Sequence, residues 1–449
     1  MTTTTVPTAP GAVPLIGHGL QLWRQPLRFV TSLNALGPVV RFFTGPAPSY
    51  MVTTPELVHR LLVTDARAFR KGRLSDSAVP QVGTSLLMDI RFPGLGHYDS
   101  HRRHRRTLQP GFHPSRIAGQ VTAVRAVAER ATAARWRDGR VLRVDRELLE
   151  MACAASSYAV FGCPERAAAV GAGLVAHLER AMYWRAVAPR WTDRVPGSHG
   201  FARSLTRLHS LVASALAEDA AGGGDDCLVS FLGRTRYDDT GEVLSPEQIG
   251  REVVVALVTG THAAGNLLPW VFHELARHPE AEQRLHGELD TVLGHGRRPV
   301  EAEDLPRLTY ARQVLFEVLR LYPPVWLLAR RALEPVRLGD VELPEGAEVA
   351  FSKYALHRHP ALHRDPDRFD PDRWLPERAR SLPRGAYIPF GTGHRKCIGD
   401  NQAVTHSLTM LAAIASRWRL RSVPGHRVRP HARIFLDTGP LPMRAEARR

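Results

Sequence analysis

Apolar spacing divides this chain of 449 residues into a smaller strand-bearing part and a long helical part. Val39-Val-Arg-Phe-Phe43 and Ser49-Tyr-Met-Val-Thr53, separated by Gly45-Pro46, predict a β-hairpin, because β-branched and aromatic runs bounded by Gly and Pro favour paired strands. Pro55 then opens a helix through Leu62, since Pro fits the first helical turn. Helical spacing occupies much of 115–290. Strands return over Val325–Ala332 and within Val336–Phe351, where Gly339-Asp and Pro344-Glu-Gly punctuate short runs. From Glu252 to Leu275 the chain is apolar on nearly all sides, which predicts a buried central helix. Pro269 inside it removes an amide donor and predicts a kink or a local opening. The fold class is therefore mainly α with a smaller β-rich lobe. Residues 1–10, polar or proline-rich, are expected to form a disordered tail, and Ala220–Asp226 reads as a loop between helices.

Polar residues interrupt this pattern in three places. Glu317 and Arg320 stand three apart on one helix face, flanked by Val314, Leu315, Phe316, Leu319 and Leu321. A pair buried there is costly unless a third partner completes it. Arg373, within FDPDRWLPER, supplies that partner and gives a Glu317–Arg320–Arg373 triad locking the loop that follows. In that loop, Phe390-Gly-Thr-Gly-His-Arg-Lys-Cys397-Ile-Gly399, three glycines crowd around one cysteine. The arrangement suits a haem thiolate, whose sulfur must be hydrogen-bonded and kept from water. Gly391, Gly393 and Gly399 allow close backbone approach, Phe390 shields the sulfur, and Arg395 offers a fork of donors to a haem propionate. The alternative is a Gly-rich turn around a buried cysteine. Thirdly, His101-Arg-Arg-His-Arg105-Arg106 puts His101 and Arg105 on one helix side, where they grip a carboxylated ligand or belong to a solvated basic helix.

Charge and cysteine usage narrow the class. The net charge of +16 raises the question of nucleic acid, but basic residues are scattered without aromatic interleaving, so nucleic-acid binding is set aside. Four cysteines, Cys153, Cys163, Cys227 and Cys397, do not make a disulfide framework. Cys153 and Cys163 sit in an alanine-rich region as small core residues. No apolar run approaches the roughly 20 residues of a spanning helix, and no leader pattern opens the chain, so no membrane partner and a cytoplasmic location are expected. Length alone suggests about three domains. Without a linker or an internal repeat, and with the motifs for one ligand running from His101 to Cys397, a single domain over 1–449 is the expectation.

Taken together, these residues resemble the cytochrome P450 family over nearly the whole chain. The segment from Phe390 to Gly399 matches the family's Phe-x-x-Gly-x-Arg-x-Cys-x-Gly signature at every defined position. Glu317 and Arg320 match its Glu-x-x-Arg pair, and PDRW stands in place of Pro-Glu-Arg-Phe. The resemblance implies a cytochrome P450 fold, with haem b between a long central distal helix and a proximal cysteine loop. It implies Cys397 as the iron ligand, propionate contacts from His101, Arg105, Arg330 and Arg395, and a haem-thiolate monooxygenase using O2. A ferredoxin and its reductase would supply electrons. Arg102, Arg103, Arg106, Arg395 and Lys396 are candidates to steer that acidic donor, although compositional bias explains the same charge.

On the long helix the sequence departs from the family. The Gly-x-Asp/Glu-Thr element falls on Gly260-Thr261-His262-Ala263, with the acid replaced by histidine and the threonine by alanine. Proton delivery needs titratable groups within reach. His262 acts as donor through water, with a hydroxyl from Thr261 or Thr259, or else it is structural; Ala263 does neither. The resulting expectations are ordinary hydroxylation, an atypical chemistry such as oxidative coupling, rearrangement or nitration, or a non-catalytic auxiliary partner. Leu87, Met88, Leu257, Gly260, Thr261, Val325, Trp326 and Leu327 are the pocket residues that the resemblance implies, against plain core packing for each. Gly260 and Gly265 are expected to let the backbone approach haem or ligand. The N-terminal third and FDPDRWLPERA look most like bacterial members that oxidise sesquiterpenes, so an apolar specialised metabolite, a terpenoid, is the expected substrate.

Overall fold

The hairpin forms in the register its sequence favours, from Val39 opposite Val52 to Phe43 opposite Pro48. It belongs to a computed structural model that describes residues 6–73, 75–76, 83–187, 198–221, 227–294 and 298–448. Contacts divide the chain into two units. The first contains 1–102, 319–369 and 376–397, and the second 103–318, 370–375 and 398–449.

In the first unit the hairpin grows into a five-stranded sheet. Glu348–Ser352 runs parallel to Pro48–Val52, and Leu327–Ala332 and then Phe69–Lys71 add antiparallel. Val52, Val58, Phe69, Val349 and Phe351 form the core of this unit. Thr54 caps the helix Pro55–His59 by accepting from the Leu57 amide, and the chain continues helically to Thr64 in a wider turn. Short strands Val336–Leu338 and Val341–Leu343 pair antiparallel, as the turn at Gly339-Asp requires. The disordered tail is corrected for its described part. Thr8 bridges Arg41, and the Ala9 amide donates to the Arg41 carbonyl at 2.8 Å. Residues 1–5 lie outside the described residues.

The second unit is built on the helix Pro246–Arg277. Ser245 and Gln248 close its first turn by reciprocal hydrogen bonds. It lies along the helix Val144–Phe161, and the two come close at Gly265, where a Cβ would sit 2.8 Å from Leu149 Cδ1 and 3.1 Å from its Cα. Helices Pro164–Val187, Ser198–Ala220 and Asp400–Ala415 also pack on it. A three-stranded sheet of Val141–Arg143, Pro442–Ala447 and Trp418–Ser422, and a small hairpin of His431–Ala432 with Leu436–Asp437, complete this unit. The expected kink does not end the long helix, which stays helical through Pro269 with its neighbours buried. Most of the expected loop at Ala220–Asp226 falls on residues 222–226, outside the described residues.

One described helix, Pro246–Arg277, is long and apolar enough by composition to cross a membrane, which corrects the expectation that no such run exists. Most of that stretch is buried inside the protein, as befits a core helix.

Candidate functional site

Two left-handed glycines shape the cysteine loop. Gly391 (φ +74) turns the chain after Phe390, and Gly393 (φ +71) brings the backbone so close to the Leu62 carbonyl that any Cβ would collide with it. The Cys397 amide donates to the Phe390 carbonyl at 2.8 Å and the Lys396 amide to Gly393 at 3.1 Å, closing the loop on itself. Cys397 is exposed, and among the described residues no cysteine is disulfide-bonded. Gly399, at an ordinary φ of −99°, immediately precedes the helix Asp400–Ala415.

Beside this loop the first unit gathers buried cations. Arg395 donates through Nη1 to Asp89 Oδ1 at 3.0 Å, and its side chain is 3% exposed. Its Nε and Nη2 are buried with no hydrogen-bond partner, as is His394 Nε2. His394 lies against the Tyr98 ring at 4.2 Å and the His101 ring at 5.3 Å. Burial, and then the charge of Arg395, lowers Arg330 to about 9. Burial and the cations Arg395, Arg330, Lys71 and Arg102 push His394 down to about 3. Such a cluster, with Asp89 as its carboxylate, is costly until further anions answer it. Orphaned buried guanidinium donors fit the two propionates of a haem, by charge and by the forked geometry of arginine.

Lysine marks the same place. Of the 60 Lys and Arg residues only Lys71, Lys353 and Lys396 are lysine. Lys71 donates from Nζ to the carbonyls of Leu86 and Leu87, fixing the turn Ser85–Met88. Lys353 is buried and donates to the Pro389 carbonyl at 2.7 Å, one residue before the loop begins. Burial lowers it to about 8 against the opposing pull of the Cys397 sulfur. Sequence reasoning passed over Lys71, Lys353, Asp89 and His394. A lysine kept in a chain that otherwise uses arginine was the signal available for the first two.

Glu317 and Arg320 each bind backbone. Glu317, fully buried, accepts from the Asp370 amide at 3.0 Å, Arg373 Nε at 3.4 Å and Trp374 Nε1 at 3.0 Å. Arg320 donates to the carbonyls of His357, Pro366 and Arg368 at 2.9, 2.6 and 3.1 Å. Arg105, partly buried, sits one helical turn beyond His101 in His97–Leu108.

On the long helix, burial picks out a face. Val255, Ala256, Thr259, Gly260 and Ala263 remain partly exposed at helical spacing, whereas Leu257, Thr261 and His262 are buried. His262 stacks on Phe435 of the small hairpin with ring centroids 4.7 Å apart and planes at 14°. Burial lowers it to about 4, so it is neutral at neutral pH. Thr261 turns toward Cys153 of the neighbouring helix. The close approach expected at Gly260 and Gly265 is made to Ser156 and Leu149 of that helix. Thr259 is on the open stripe and donates to the Val255 carbonyl at 2.7 Å. Sequence reasoning missed Val255, Ala256 and Phe435.

Of the remaining pocket candidates, Leu87 is exposed and Met88 buried. Val325 and Leu327 are partly buried, and Trp326 is buried with its carbonyl accepting from Ser352 at 3.0 Å.

Known proteins resemble this chain over most of its length. The family model described as Cytochrome P450 matches residues 7–438. A "Cyclooctat-9-en-7-ol 5-monooxygenase" from Streptomyces melanosporofaciens is 40% identical, covering 99% of this chain and 96% of its own. A "Pentalenene oxygenase" from Streptomyces avermitilis is 37% identical, covering 95% and 93%. The solved cytochrome P450DA haem domain shares the fold, with a TM-score of 0.86 at 23% identity over 100% of this chain and 99% of the other.

Proposed function

The chain belongs to the cytochrome P450 family and is a haem-thiolate monooxygenase, and from that premise we propose that it hydroxylates a terpenoid with electrons from a ferredoxin and its reductase. The observation that carries the substrate reading is identity of 40%, 39% and 37% over nearly the full length to three Streptomyces proteins named for cyclooctatenol, cyclooctatin and pentalenene. Fold alone would not carry it. The small and apolar side chains of the open helix stripe, with a single hydroxyl at Thr259, agree with a ligand offering few polar groups.

When bound, the haem supplies reductive activation of O2 and transfer of one oxygen atom to carbon. Cys397 would hold the iron, and the unsatisfied donors of Arg395 and His394, with Arg330 and His101, would hold the propionates. Phe390 and Gly391 keep the loop closed through the carbonyl that receives the Cys397 amide. Lys71 ties down the segment bearing Leu87 and Met88. His262 does not deliver protons in this reading, because its ring is stacked on Phe435 and neutral. Thr259 takes that duty. Its hydroxyl proton is committed to Val255, so its oxygen accepts, and a water that donates one proton to it has the other to give.

A second reading follows from the packed His262. Without the usual acid, the enzyme would run coupling, rearrangement or nitration instead of hydroxylation. Product analysis separates the two. Loaded protein given a surrogate ferredoxin, its reductase, O2 and a panel of terpene hydrocarbons and alcohols should return products heavier by one oxygen atom. Coupled or rearranged products without added oxygen, or nitrated products, would select the second reading. No product from any terpene would overturn the substrate assignment.

A further inference from the structure

The most exposed of the large apolar side chains described in the first unit stand in one short segment. Leu15 is 94% exposed, Trp23 72%, and Val13, Ile16 and Leu20 also face solvent. Scattered apolar residues need no explanation, but a contiguous group does. This one is held in a built presentation. Val13 and Gly17 exchange backbone hydrogen bonds of 2.9 and 2.8 Å, so Pro14, Leu15 and Ile16 form the tip of a closed turn. Gly17 at φ +57 anchors the turn, because a Cβ there would lie 2.6 Å from the Phe43 Cβ. Leu15 itself adopts φ +67. A leucine in the left-handed region is strained, and an exposed one gains no burial in return. Leu20 and Trp23, three apart on the helix Gly19–Arg24, share a side of it.

Charge identifies the occupant. The first 55 residues contain no Asp or Glu, while Arg24, Arg28 and Arg41 are all cationic. Arg24 and Arg28 are exposed, beside Trp23. We propose that this turn and helix dock the enzyme on an anionic lipid surface, with Pro14, Leu15, Ile16, Leu20 and Trp23 entering the headgroup and acyl boundary and Arg24 and Arg28 meeting phosphate. Protruding apolar groups, an interfacial Trp and flanking arginines are the combination that binds a bilayer face. The expectation of no membrane partner rested on the lack of a spanning segment, and a peripheral contact needs none. A second copy of the chain is a poorer occupant, since a symmetric contact would set the arginines of both copies against each other.

The test uses haem-loaded enzyme and sedimentation with vesicles of phosphatidylglycerol or of phosphatidylcholine. Wild type should pellet with the anionic vesicles roughly tenfold better than with the neutral ones, and salt should weaken it. Leu15→Ser with Ile16→Ser should lose roughly tenfold in affinity, with an unchanged carbon monoxide spectrum certifying the fold. Arg24→Gln with Arg28→Gln should erase the lipid preference and most of the salt dependence. Trp23 emission should shift to the blue on anionic vesicles, a change absent from Trp23→Phe. Failure of wild type to pellet, pelleting unaffected by the serine pair, or a dimer that the serine pair dissociates would each overturn the proposal.

Discussion

The cluster around Arg395 and the stripe on the long helix hold their side chains by opposite means. In the cluster, charge is forced into a buried place: burial pushes Arg330, Arg395 and His394 all down, and the charge of Arg395 adds to this at Arg330 and His394. Along the stripe of Val255, Ala256, Thr259, Gly260 and Ala263 no side chain is ionisable, and the ring of His262 is stacked out of the way on Phe435. The difference separates two tasks. A cofactor with fixed acidic tails rewards a preorganised set of cations, whereas a hydrocarbon rewards smooth, small walls and punishes polar groups left unpaired.

Cys397→Ser should have the largest effect on this comparison, abolishing both turnover and the thiolate-type absorption of the reduced carbon monoxide adduct; retention of that band would remove the iron ligand from the cluster side. Next, Arg395→Leu should speed haem transfer to an apoprotein acceptor and lower haem affinity about 10- to 100-fold, the usual cost of an outer-shell partner. An unchanged transfer rate would mean that Arg395 serves Asp89 alone.

The helix side is probed by pH. His262 has its folded pKa lowered from 6.5 to about 4, so protonation favours the unfolded chain. Its contribution to stability is complete above the unfolded value and is lost as pH falls toward the folded one. Denaturation of wild type and His262→Phe at about pH 7.5 and about pH 4 should show the wild type losing roughly 3 kcal/mol more than the variant. Equal losses would put the ring in contact with water. Smallest is the effect of dissecting the family's missing pair. Ala263→Thr, on the open stripe, should raise the fraction of consumed O2 recovered as product. His262→Glu, on the packed side, should only destabilise, by about 1–3 kcal/mol for a buried unsatisfied group. A gain from the glutamate alone would reverse the assignment of faces.

Some of this was legible in the sequence and some was not, for reasons that differ by residue. The hairpin at 39–53 carries its own turn and its own alternation. Gly391 and Gly393 stand where positive φ is required, so the loop could be read from spacing. The stripe could not. A helix apolar all round has no polar side to mark its orientation, and whether Thr259 or Thr261 is buried depends on which neighbour lies over it. Pro7 and Ala9 join Arg41 through backbone groups, which leave no trace in side-chain pattern. Pro269 would be expected to break an exposed helix, but here the packing on every side holds the turn.

The crowded cations also bear on the protein's life before it is loaded. Like charges in poorly screened surroundings repel, so a newly made chain reaches its full stability only when porphyrin carboxylates arrive, and binding then drives folding by mass action. Loading thereby becomes a checkpoint. Where iron or porphyrin is scarce, proteases should clear the unloaded chains first, and enzyme abundance will follow cofactor supply without any dedicated regulator.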